Sequence, residues 1–345
     1  MMGTFVKKIG ETVMENPTIP GLFRSWFTDE VSAEDAYEFD TEVDIRKVFQ
    51  DDNRYSTGEA ITFDKNTSNI FVAPTYNKYT PINGNDAYKR VIGGSDTSAA
   101  ANNSAFVKMG ARNILRMHGY MDRTEELMCA NALQTGTVVT LHGDSIDFKM
   151  KSTHKIAYDA ANDMGIATVD PAKVFPKLAR LLYQDGNIAS GAPIEVLLGT
   201  DVLYDLQTNP FVKERLDIKS FTMGELAPKM ADAKGRVPQG YLMYEGYTFY
   251  LYTYSEEYIH PTTGVSTMLM NPKGMIMKPV NADLKMFYAG ISVSTGPAKY
   301  ELVAGKRVPY IYDDKRAKQV LLGFETRPLP ILRKPNQILF AVTAN

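Results

Sequence analysis

The sequence predicts an α+β fold in which a strand-rich body is interrupted by a separate mixed domain, and three observations predict it. From Ser104 to about Gln134 there is no proline, and Phe106, Met109, Leu115, Met117, Met121 and Met128 recur near helical spacing, so the stretch reads as one helix of roughly 45 Å. Between about 155 and 285, helix-like and strand-like patterns alternate, as in a domain with its own core. Beyond Tyr300 the chain turns to short β-prone runs punctuated by proline, which need strand partners from earlier in the sequence.

At the N-terminus, Phe5, Val6, Ile9, Val13 and Met14 follow helical spacing until Asn16-Pro17 stops them. Lys7, Lys8 and Glu11 interrupt these apolar residues, so the stretch is not the core of a signal peptide. Leu22, Phe23, Trp26 and Phe27 then form an aromatic group ahead of any sheet. Residues 1–40 therefore read as an arm that packs on its own body or on a neighbouring subunit, with Phe23, Trp26 and Phe27 as candidate intersubunit contacts. Thr41 to Phe49 alternates as a half-buried strand does, Val43 and Ile45 against Glu42, Asp44 and Arg46.

Ala60 to Phe63 and Ile70 to Ala73 are β-prone runs separated by turn formers from Asp64 to Asn69, which predicts a hairpin with a polar tip. Such a hairpin is marginal alone and needs a neighbour's surface or sheet edge, so Asp64, Lys65, Asn66, Thr67 and Ser68 are further candidate contacts. Gly93 to Asn103 is small and polar, a flexible joint ahead of the long helix, about which the preceding loop is expected to change its angle to the body during maturation. The charged residues of that helix, Lys108, Arg112, Arg116, Asp122, Arg123, Glu125 and Glu126, read as one solvated face.

Val138 to Met150 is β-like. In the middle domain, Asp170-Pro171 opens a helix through Tyr183, with aspartate as cap and proline in the first turn. Ile194 to Leu198 is a buried strand, and Thr200 caps a helix that Pro210 kinks or restarts. Tyr241 to Tyr254 is a hairpin turning near Glu245-Gly246, and a strand follows from Ser266 to Asn271. The closing strands are Tyr300 to Val303, Val308 to Tyr312, Gln319 to Phe324 and Gln337 to Thr343, with 41–49 and 138–150 as their expected partners.

The 345 residues carry a formal net charge of −2, which gives the molecule as a whole no drive to hold a polyanion tightly, so dedicated nucleic-acid binding is not expected. Cys129, the single cysteine, cannot form an internal disulfide, and a reducing cytosol is the default compartment. No run approaches the ~20 apolar residues of a membrane-spanning helix, and no membrane partner is expected. Phosphate loops, dinucleotide fingerprints and nucleophile elbows are missing from the sequence.

His118, His142, His154 and His260 lack a second histidine at helical zinc spacing. His142 with Asp144 and Asp147 is an arrangement that could contribute to a metal site, but short polar strands throw up such neighbours often. Cys129 falls in a helical stretch, where a small buried hydrophobe is commoner than a nucleophile. No catalytic, cofactor-binding or metal residue is predicted. Seventeen methionines and twenty tyrosines suit extensive subunit contact as well as ordinary core.

Several stretches carry a resemblance to a known family. Thr41-Glu42-Val43-Asp44-Ile45 followed by Tyr55-Ser56-Thr57-Gly58-Glu59 resembles the entry to an extended hairpin loop, and Asn209-Pro210-Phe211-Val212-Lys213-Glu214 resembles an axial-domain helix. Glu325-Thr326-Arg327-Pro328-Leu329-Pro330 with Lys334-Pro335-Asn336 is similar to a closing strand and its proline turns. Together and in this order they resemble the major capsid protein E family of lambda-like tailed phages, which has the HK97-type capsid fold.

The resemblance implies an N-terminal arm at 1–40 and a peripheral domain from 41–154 and 286–345. That domain would hold an extended loop at 46–90 and a spine helix at 104–134, and 155–285 would be an inserted axial domain at the five- and six-fold positions. It implies a non-enzymatic shell protein without a cofactor, found in the virion and assembled in the host cytoplasm around a double-stranded DNA genome. Its partners would be its own copies as hexamers and pentamers, a scaffolding protein on a separate chain, a portal protein and room for a decoration protein, with packaged DNA touched weakly and without sequence preference. Some relatives cross-link through lysine and asparagine, but no carboxylate and partner pair is identifiable here. The competing readings are an encapsulin-like nanocompartment shell, a cytosolic enzyme with 155–285 as its catalytic domain, and a tail-tube or decoration protein.

Overall fold

The computed structural model describes residues 21–41, 67–83, 99–139, 145–157, 163–189, 191–217, 234–296, 299–314, 316–317 and 319–342. They fall into two compact units, one drawn from Met1–Tyr37, Val72–Cys129 and Met286–Pro330, the other from Glu38–Phe71, Ala130–Lys285 and Ile331–Asn345.

The first unit is built on the long helix, Ala99–Thr135, of which Ala99–Cys129 belongs here. It starts five residues before Ser104, so the last part of the expected joint, Ala99 to Asn103, is helical: alanine favours helix, and no glycine or proline interrupts it. Against the helix lies an antiparallel sheet of strands Val308–Asp314, Gln319–Thr326 and Tyr76–Asn83, in that order. Its alternation is regular: Ile82, Leu322, Val320 and Ile311 turn inward onto Ile114 and Met109 of the helix. A second sheet has the order Thr28–Val31, Leu284–Tyr288, Pro328–Leu332. The last of these strands carries Pro328 and Pro330, which have no N–H to donate, and it is accordingly an edge strand.

The second unit contains, among the described residues, a six-stranded mixed sheet in the order Lys155–Ala157, Leu339–Val342, Gly274–Pro279, Ile194–Leu198, Tyr247–Thr253, Val237–Tyr244. Helices Pro171–Asp185 and Thr200–Thr208 cover one face, with Phe175, Leu182 and Leu206 in the same core as Val196, Leu251 and Met275. The Asp170 carboxylate accepts the Ala172 N–H at 3.0 Å and caps the first helix, while Pro210 restarts the second as Pro210–Asp217. Glu245 and Gly246, at φ 47° and 81°, make the hairpin turn between Tyr244 and Tyr247, where a left-handed pair matches the twist of the strands.

Several expectations are corrected. Thr200 is the first residue of its helix rather than its cap; Gly199 holds that position, and the Asp201 and Val202 N–H groups donate to the Pro272 carbonyl at 3.1 and 3.4 Å. Thr67, Ser68 and Asn69 open a strand, Thr67–Val72, that pairs with Ala36–Thr41, so they are not loop residues. Asp64, Lys65, Asn66 and the run Ala60 to Phe63 lie outside the described residues, as does the expected strand beyond Thr41.

Among the described residues the closing strands do not pair with 138–150: Thr137–Val139 pairs with Ser145–Asp147, and Gln319–Thr326 takes Tyr76–Asn83. Leu339–Val342 joins the six-stranded sheet, and Ile331–Asn345 falls in the second unit. The reason is burial: Leu339 and Ala341 complete the core beneath the two helices.

Candidate assembly surface

Only apolar residues that the chain has not buried against itself are open to a neighbouring molecule. Phe23 and Phe27 are buried, and Trp26, packed edge-on against Phe23 at 5.6 Å, is half-buried. The cause is a carboxylate from far along the chain. Glu126 accepts the backbone N–H of Phe23 at 2.9 Å and of Arg24 at 2.7 Å, capping the short helix Leu22–Ser25 that has no side-chain cap of its own. Arg24 donates to Glu125 at 3.2 Å and to the Tyr288 hydroxyl at 3.0 Å, and it pairs with Asp29. Burial and the adjacent Glu125 push the Tyr288 phenol up. Arg307 donates to the other Glu125 oxygen at 3.0 Å and pairs with Asp122.

Residues 23–29 are thereby fastened to their own unit, with Phe23 and Phe27 buried in it and Trp26 half-buried. No local sequence signal marks this: Glu126 and Phe23 are 103 positions apart.

Aromatic residues remain exposed on defined faces. The side of the three-stranded sheet turned away from the helix carries Tyr79 and Tyr312, about 60% exposed, with Tyr310 between them. Tyr310 lies across Gly323 of the middle strand and donates to the Asn77 side chain at 2.5 Å. A Cβ at Gly323 would come within 2.5 Å of the Tyr310 ring, so the glycine is what lets the ring lie flat. Period-2 spacing of Tyr310 and Tyr312 against Pro309 and Ile311 is the sequence signal that could have marked this face.

In the same unit, strand Lys299–Val303 pairs only with Ile291–Gly296 among the described strands and is exposed at every residue, with Tyr300 at 72%. In the second unit, the edge hairpin turns Leu242 inward and leaves Tyr241, Met243 and Tyr250 exposed.

Reactive groups are occupied. Cys129 is fully buried, and burial with the neighbouring Glu126 pushes its thiol well above the ordinary range. His154 is buried, with Nδ1 at 2.9 Å from the Ile338 carbonyl and Nε2 at 3.2 Å from Asp185. His142 and Asp144 lie outside the described residues, while the Asp147 carboxylate accepts the Lys149 N–H at 2.9 Å. Among the described residues no group of three metal-ligating side chains converges.

Comparison with known proteins places this architecture. It matches a crystal structure described as the capsid protein of a prophage of E. coli CFT073 at a TM-score of 0.63, with 15% identity and 98% of each chain covered. A phage-related protein from Bordetella bronchiseptica RB50 matches at a TM-score of 0.51, with 12% identity over 97% of this chain and 95% of the other. These likenesses define an HK97-like capsid fold. No curated protein matches in sequence. The family model of phage major capsid protein E matches residues 6–343, and the chain belongs to that family. Its role is therefore structural, a subunit that assembles with its own copies into an icosahedral phage shell, and the nanocompartment, enzyme and tail-protein readings fall away.

Proposed function

We propose that this chain forms the head of a tailed phage as hexamers and pentamers enclosing double-stranded DNA. The first unit supplies the peripheral domain with its spine helix, and the second supplies the axial domain around the five- and six-fold positions. The observation that carries this reading is the family match across residues 6–343. The exposed faces support it: the tyrosine face at Tyr79, Tyr310 and Tyr312 and the open strand Lys299–Val303 are suited to neighbouring copies, since tyrosine contributes apolar area with a polar tip and an open strand can be extended by another chain. Asp64, Lys65 and Asn66, with Thr67 and Ser68 at the start of strand Thr67–Val72, are contacts with a neighbouring subunit. A separate scaffolding protein guides assembly in the host cytoplasm, a portal protein occupies one vertex, and a decoration protein has room on the outer surface.

The test is negative-stain electron microscopy of the chain expressed alone and with the scaffolding candidate encoded beside it. Closed, thin-walled particles are expected. Dispersed monomers or small rings under both conditions would overturn the proposal. A Tyr79→Asp/Tyr312→Asp variant should stay folded and lose closed particles.

A further inference from the structure

The long helix carries seven charged residues between Lys108 and Glu126, and the structure sorts them by sign. Its three acids face its own unit: Glu125 and Glu126 are buried against Arg24, Arg307 and the Phe23 backbone, and Asp122 pairs with Arg307. Its four cations, Lys108, Arg112, Arg116 and Arg123, are all exposed, and none has an ion pair with a described residue. At 100° per residue these four and the exposed Tyr120 fall within about 120° of arc, a stripe roughly 22 Å long. The sequence suggests a mixed, solvated face; the folded chain presents a face of one sign.

We propose that this stripe is a contact surface for the phosphate backbone of double-stranded DNA inside the shell. The inference rests on the proposed function, which puts a genome within reach. Charge complementarity selects the occupant: four cations in a row, none paired with a described residue and three of them arginines able to bind phosphate in bidentate fashion, suit the repeating charge of a phosphate backbone. A protein partner would instead require an apolar centre, and Tyr120 is the single large hydrophobe on the exposed stripe. The overall charge of −2 keeps the contact local and weak, as a genome that must be packed and later released requires.

The test uses unassembled full-length subunits and two unrelated 30-base-pair duplexes, with binding followed by fluorescence anisotropy from 50 to 200 mM salt. Neutralising about four phosphates predicts a slope of log Kobs on log salt near −3.6, a loss of about 150-fold over that range, the same for both duplexes. The variant Lys108→Gln/Arg112→Gln/Arg116→Gln/Arg123→Gln should lose that slope, whereas Arg112→Lys/Arg116→Lys/Arg123→Lys should keep it. If the quadruple variant does not fold, each single Gln substitution should reduce the slope by about 0.9.

An unchanged slope after neutralisation overturns the inference. So does a variant that binds DNA normally but no longer co-assembles with the scaffolding protein, which would make the stripe a protein interface. Because DNA binding is read on subunits and shell formation by microscopy, failure of the inference and failure of the proposed function are separable.

Discussion

The cap supplied by Glu126 can be broken with little change in shape. Glu126→Gln keeps the length of the side chain and one acceptor oxygen but removes the charge that the Phe23 and Arg24 N–H groups share at 2.9 and 2.7 Å. Hydrogen bonds to a charged group contribute about 1.5–3 kcal/mol each, and the amide retains part of one, so the expected local loss is about 2–3 kcal/mol. In hydrogen exchange measured by NMR or mass spectrometry, the Phe23 and Arg24 amides should then exchange about 30- to 150-fold faster, while the sheet Tyr76–Asn83 with Gln319–Thr326 is unaffected.

Gly21 gives a second approach to the same contact. A Cβ there would lie 2.2 Å from the Glu126 carboxyl carbon, so Gly21→Ala should release the segment in the native background and cost far less in a Glu126→Ala background. Unchanged exchange at Phe23 and Arg24 in Glu126→Gln, or additive effects in the double variant, would refute the tertiary cap.

Three further outcomes follow from the geometry. His118 packs on Phe324 at 4.8 Å, and burial with the nearby Arg307 depresses it to about 4, so the unfolded chain takes up the proton first and stability falls as pH drops from about 6.5 to 4. Screening at this partly exposed site limits the effect to roughly 1–2 kcal/mol, and a urea midpoint series should show His118→Phe without that step. Cys129 should resist a thiol reagent in the native protein and react on addition of denaturant; prompt native labelling would contradict its burial. Gly199→Ala would set a Cβ 2.2 Å from the Pro272 carbonyl oxygen, backbone that cannot step aside, and should lower the unfolding free energy by at least about 2 kcal/mol, read as a fall in the urea midpoint.

The elements most legible in the sequence are those set by local chemistry. Asp170-Pro171 starts a helix, Pro210 restarts one, Glu245-Gly246 turns a hairpin, and Ile194 to Leu198 is a strand with the expected bounds. Gly274–Pro279 was not legible, although it is the strand between Leu339–Val342 and Ile194–Leu198 and is buried throughout. Its residues, Gly-Met-Ile-Met-Lys-Pro, have little β-branching and include a lysine, which the structure accommodates by placing Lys278 at 2.5 Å from Glu195 on the adjacent strand. Pro328–Leu332 was hidden by its two prolines, tolerated because the strand lies at an edge. Of the candidate contacts, Phe23 and Phe27 were visible as an aromatic group but not as buried ones, because their partner Glu126 lies beyond any local pattern.

The sequence by itself determined the α+β class, the long helix, the middle domain's helices and turn, and through the order of its motifs the capsid family. These rest on backbone sterics, capping and periodicity, which act over a few residues. Tertiary structure alone decided which strands pair, that the last strand completes the second unit's core, and that the long helix turns its acids inward and its bases outward. Those outcomes depend on which distant groups share a desolvated interior: a buried carboxylate is tolerated only where a cation or an N–H reaches it, and the positions of Arg24 and Arg307 beside Glu125 exist only once the chain has folded.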